Sequence, residues 1–345
     1  MTHLLSLSRL ASALLLFTLL AAPASFAQAP SEEPPGSWET LAPTDGTPMN
    51  RHENAYAKVG DRFYLIGGRG ERPVQIYNPE TGAWTTGATP PLNMHHFQAV
   101  AYDGKVYVLG AFNGNYPDET PIPNVYIYDP ETDAWTKGPA IPEDRRRGAA
   151  GAVAHEGTIY LVGGIQNGHI DGQVRWLDAF NPETGTWEQL ADAPRKRDHF
   201  QVAVADGKLY AVGGRRSSQA TGEVFQLTIP EVDVYDVATN TWTPLPPSGD
   251  LPTERAGTTT VSVGGHIIVL GGESGSQEPA HAEVEALNPE TGTWQTLAPM
   301  NTGRHGTQAI VHEGHLYIAA GSRTRGATEI NSHERFTLPE FLQNP

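Results

Sequence analysis

The chain has 345 residues, a formal net charge of −16, 37 glycines, 28 prolines and no cysteine. The acidity excludes generic nucleic-acid binding, which needs a basic surface. The missing cysteines exclude disulfides, a thiol nucleophile and a lipid-anchored thiol, so a stable fold must come from a large core.

The first 27 residues read as a signal peptide. Arg9 gives the positive end, Leu10 to Ala22 the apolar stretch, and Ser25 and Ala27 the small residues a signal peptidase requires. The apolar stretch is short for a membrane span, which takes about 20 residues. Export to the periplasm or the medium is therefore expected, with no membrane span. Residues 28–37, "QAPSEEPPGS", form a Pro/Glu linker expected to be disordered.

From residue 38 onward a unit recurs. An apolar residue stands three positions before a glycine pair at Tyr64, Tyr107, Tyr160, Tyr210, Ile268 and Tyr317. The pair degrades to Gly110-Ala111 in the second unit and Ala320-Gly321 in the sixth. Each unit predicts four short strands. Two apolar strands flank a tight turn such as Asp103-Gly104. A variable loop and a third strand follow, then a turn of the type "NPETG", in which Asn bonds the backbone, Pro presets φ and Gly closes the turn. Two residues later stands Trp84, Trp135, Trp187, Trp242 or Trp294, a wedge between neighbouring sheets.

Repeated four-stranded sheets of this kind make a β-propeller. The arginine before the first strand, the diglycine after the second and the tryptophan beyond the turn resemble the Kelch repeat. The fold expected is all-β, a six-bladed Kelch propeller over residues 38–345. The blades fall at about 49–87, 93–138, 146–190, 196–245, 254–297 and 303–338 plus 37–42. The last unit lacks a turn-tryptophan strand, and Gly36-Ser37-Trp38 repeats the spacing of Gly82-Ala83-Trp84. The segment around Trp38 should therefore complete blade six and leave no open sheet edge.

The loops after the second strands are long and irregular, so a ligand or partner is expected on that face. Thirteen residues before each anchor stand Arg51, Met94, Arg147, Arg197, Arg255 and Arg304. These arginines either clamp an anion at the channel mouth or bond backbone carbonyls within the fold. The next two positions hold His52, His95, Asp198 and His305, then Glu53, His96 and His199. Glu273 follows a second strand on the same face. His52, His95 and His305 sit on different blades, too widely spaced for zinc, and neither a metal nor a cofactor is expected.

Within the family, the galactose oxidase type implies copper and a cysteine-crosslinked tyrosine, which a cysteine-free chain cannot supply. The exported propellers that epimerise or mutarotate sialic acid resemble this chain in architecture, which implies an acid/base among Glu53, His96, His199, Asp198 and Glu273 with arginine clamps. The sequence holds no motif specific to that activity. The expected function is a monomeric, non-catalytic binding module for an anionic carbohydrate or a protein partner, with an acidic-sugar epimerase or mutarotase as the alternative.

Overall fold

The computed structural model describes residues 1–2 and 33–343. Residues 3–27 of the expected signal peptide and residues 28–32 of the linker lie outside that range. The compact unit begins at Pro34.

Six four-stranded antiparallel sheets account for it, each built in the order expected. Their innermost strands are Asn54–Val59, Val100–Tyr102, Gly151–His155, Gln201–Ala205, Thr259–Val263 and Ala309–His312. Each touches the next, and the last touches the first, so the blades close into a ring. Among the described residues the one α-helix is Glu340–Gln343, and no helix is long and apolar enough to cross a membrane.

The repeat residues do the work their chemistry suggests. Asn78 Oδ1 accepts from the amide of Glu80 at 3.0 Å, and Gly82 donates to the Asn78 carbonyl at 2.8 Å. Asn181 and Asn288 repeat the turn. Gly67, at φ +68°, lies where a Cβ would come within 2.4 Å of the Met94 carbonyl of the next blade. Only glycine permits so close an approach with that backbone.

Five tryptophans bind their sheet to the one before it. Indole N–H groups donate across the seam, from Trp135 to Ala88, Trp187 to Ala140, Trp242 to Ala191 and Trp294 to Gly249. Trp38 makes the corresponding bond to Ala298 of blade five at 2.8 Å and packs on Phe336. Its strand, Ser37–Thr40, pairs antiparallel with His333–Thr337. The ring is thus sealed by an N-terminal strand. Order extends slightly further upstream than the linker reading, since the Pro35 carbonyl accepts from Ala298.

The C-terminal tail has a packing role. Leu338 and Leu342 are buried in the cluster between blades five and six, and Phe341 meets His266 edge-on.

Candidate functional site

The five arginines are almost wholly buried, none more than 1 % exposed. Each turns into its own blade. Arg197 donates to the carbonyls of Ala211 and Gly213 at 3.1 and 2.8 Å, to that of Glu231, and to Asp233 at 2.6 Å. Arg51, Arg147, Arg255 and Arg304 follow the same plan, with Gln75, Asp178, Glu285 and Glu334 as side-chain partners. Blade two has Met94 in place of the arginine. At the position of the acid it has Tyr126, opposite Val108 as Asp178 is opposite Leu161. Both members of the ion pair are absent together, as a role internal to the blade requires. These guanidiniums saturate the carbonyls where the second strand ends.

Two residues further on, the chain turns toward the axis. Glu53, His96, Ala149 and His199 have φ between +51° and +56°, and Gly257 and Gly306 have +62° and +63°. Their amides pass hydrogen bonds from blade to blade: His96 to Glu53, Ala149 to His96, His199 to Ala149, Gly257 to His199 and Gly306 to Gly257, with Asn54 completing the belt to Gly306. A left-handed backbone disfavours side chains by about 1 kcal/mol or more. Blades five and six avoid this with glycine. Glu53, His96 and His199 carry the strain and line the channel instead.

Below the belt, three glutamines cross the channel. Gln98 of blade two donates to Val202 of blade four, Gln201 to Thr307 of blade six, and Gln308 back to Ala99 of blade two. These chords make a floor. A narrow void of about 30 Å³ lies at the belt, lined by Glu53, His96 and His199. Above it opens a cavity of about 500 Å³, among Arg69, Tyr116, His169, Arg215, Phe225 and Glu273.

The polar groups here are tied into one network. Arg215 donates to Glu273 at 2.5 Å and to Ser217, and its guanidinium lies over Phe225. Glu273 Oε2 is 3.4 Å from His305 Nε2, and Glu53 Oε1 is 3.6 Å from His305 Nδ1. Glu53 Oε2 stands 3.5 Å from His96 Nε2. Burial alone would raise the Glu273 carboxyl, but His305 and Arg215 outweigh it and hold it down at about 2. Glu119 is likewise pushed up by burial, yet His169 and Arg69 bring it to about 2. Burial pushes Asp198 up. Its neighbours all donate, however: Ser217 N and Oγ at 2.9 and 2.6 Å and His199 Nδ1 at 2.5 Å, which is the setting of a carboxylate. Burial, with Arg69 and Arg215 nearby, keeps His96 and His199 neutral well below the usual histidine range. His95 is held at about 4 for the same reason.

Of the residues singled out in the sequence, Glu53, His96, His199, Asp198, Glu273 and His305 come together at the axis. His52 lines the rim and bonds Glu329. His95 lies behind His96 and bonds the Gly114 carbonyl. His169, Glu119, Tyr116 and Phe225 stand in the long loops expected to carry a ligand, but outside the repeat, so no periodicity singled them out. Trp176, also outside it, stacks under Arg145, 4.2 Å from guanidinium to ring centre.

The family model described as the KLHDC2/KLHL20/DRC7 Kelch-repeats domain matches residues 34–193 and 97–321. The chain belongs to the Kelch-repeat propeller family. It is 32% identical over 315 residues to Kelch-like protein terF of Aspergillus terreus, covering 85% of this chain and 66% of that one. It is 25% identical to an N-(sulfonatooxy)prop-2-enimidothioate sulfolyase of Thlaspi arvense, over 78% of this chain and 87% of the other. The chain spans less than half the length of the animal Kelch-like proteins it matches, 42% to 48%. The solved structure of YjhT superposes with a TM-score of 0.68 at 19% identity, over 83% of this chain and 95% of that one, which establishes a shared fold.

Proposed function

We propose that this chain is an exported binding module whose axial cavity takes a small polyhydroxylated ligand of the carbohydrate class. The observation that carries this is a cavity of about 500 Å³ above the glutamine floor, lined by charged donors and acceptors together with the rings of Tyr116 and Phe225. Such a volume suits a compact ligand. Arg69 and Arg215 supply donors, Glu53 and Glu273 supply acceptors, and Tyr116 and Phe225, the latter already stacked with Arg215, add apolar surface. The expectation of an anionic sugar is narrowed, because both guanidiniums already have carboxylate partners. A ligand that both donates and accepts matches this lining better than a bare anion does.

A second reading has its own observation. Glu53 and His96, 3.5 Å apart, open onto the same cavity as Arg69 and Arg215. A carboxylate and a neutral imidazole so placed are equipped to move a proton at a sugar ring, which is the chemistry of anomer exchange. Calorimetry against neutral and acidic sugars, with NMR of anomer exchange, tests both readings. Binding that weakens about tenfold or more in Phe225→Ala supports the module. Saturable rate enhancement abolished by Glu53→Gln adds the catalytic reading. Binding without enhancement removes catalysis. If no sugar binds while a protein is captured at this face, the carbohydrate reading fails.

A further inference from the structure

We infer that His96, His169 and His199 form a three-nitrogen site for a divalent transition metal, of which zinc is the best match, at the base of the axial cavity. The three residues come from consecutive blades. His96 and His199 stand on the left-handed belt. Blade three has only Ala149 there and contributes its imidazole from the hairpin of Ile165–Asn167 and Asp171–Gln173. All three are buried, at 5 %, 3 % and 5 % exposure. One ring nitrogen of each lies within 4.8 Å of those of the other two. The ring centres are 4.7 to 5.1 Å apart. Tetrahedral zinc with bonds of about 2.0–2.1 Å wants its nitrogens about 3.4 Å apart, so the rings would close in by up to about 1.4 Å on binding.

The surrounding hydrogen bonds decide which nitrogens are free. His169 Nδ1 donates to Glu119 at 2.9 Å, and His199 Nδ1 to Asp198 at 2.5 Å. His95 Nε2 donates to the Gly114 carbonyl, so its Nδ1 accepts from His96 Nδ1 at 2.6 Å. Each Nδ1 is thus engaged, which leaves Nε2 as the nitrogen of each ring able to ligate. His199 Nε2 is buried with no hydrogen-bond partner. Imidazoles oriented by carboxylates, as His169 and His199 are, are the usual supports of bound zinc. Glu53 Oε2 stands 3.5 Å from His96 Nε2, so a carboxylate and a lone pair face each other there and a cation beside them is favoured. The fixed charges agree: the carboxylates of Glu53, Glu119, Asp198 and Glu273 exceed the guanidiniums of Arg69 and Arg215 by two. A divalent ion would balance them. Because His96 and His169 also line the cavity, its open coordination position would face the ligand space.

The site shares His96 with the proton-transfer reading, and its test uses no sugar. The full mature chain, purified without a histidine tag and stripped with EDTA, is titrated with Zn²⁺ by calorimetry and with Co²⁺ by visible absorption. One equivalent of each should bind, with the intense bands of tetrahedral cobalt. His169→Ala, a loop change that leaves the belt intact, should weaken binding about 100-fold, and Asp198→Asn, which acts through His199, about 10-fold. Zinc should raise the Tm of the parent and not that of His169→Ala. No cobalt bands, or binding undiminished in both His169→Ala and His199→Ala, would overturn the site.

Discussion

The arginine belt, present in five of the six blades, and the left-handed belt lie two residues apart, yet their side chains meet opposite surroundings. Arg147, Arg197, Arg255 and Arg304 point into the blade and end on carbonyls and a carboxylate of the same sheet. Glu53, His96 and His199 point to the axis, across a backbone that turns left-handed to place them there. A repeating charge is thus scaffold, and the variable position beside it is the site. The reason is burial. A guanidinium has five donors to satisfy, and a strand end inside a propeller offers carbonyls that nothing else reaches.

The strongest way to break this contrast is Arg304→Ala. It leaves the fully buried Glu334 without its partner and should cost about 3–5 kcal/mol in urea unfolding. Arg304→Met with Glu334→Tyr copies the Met94/Tyr126 pair of blade two and should restore at least half of that loss. An unaltered midpoint in Arg304→Ala would mean that the belt is not structural.

Acidification sharpens the comparison by addressing a histidine inside a blade. His333 packs among Tyr56, Tyr77, Trp84 and Tyr317, with Arg304 and Arg335 as charged neighbours. Burial, then the two arginines, holds it down at about 3. Its unfolded form protonates near pH 6.5, so stability is full above that pH and is lost as pH falls toward the folded value. The slope is about 1.4 kcal/mol per pH unit for this proton. The urea midpoint of His333→Phe should fall less than that of the parent between about pH 7 and pH 5. Equal falls would assign the acid sensitivity to other groups.

The smallest effect tests the left-handed belt directly. Ala149→Gly should be neutral or stabilise by up to about 1 kcal/mol in thermal unfolding, since glycine accepts a φ of +51° without strain. His199→Gly should likewise keep the fold while removing a channel imidazole. If Ala149→Gly destabilises the protein, strain is not what distinguishes these positions.

The spacing of Tyr64, Gly67 and Trp84 and their repeats determined the strands, the turns and the number of blades, because hairpins and Asn-Pro turns are local. It also determined the closure through Trp38, since a missing strand at one end and an orphan tryptophan at the other have one solution in a ring. Tertiary structure alone decided which way the arginines face, because Arg197 reaches carbonyls more than ten residues away in its own blade. It alone brought His169 and Glu119 beside His96 and His199. Those two sit in loops outside the repeat, where no periodicity marks them, and a site on the axis is assembled by the ring's curvature, a property of six blades together.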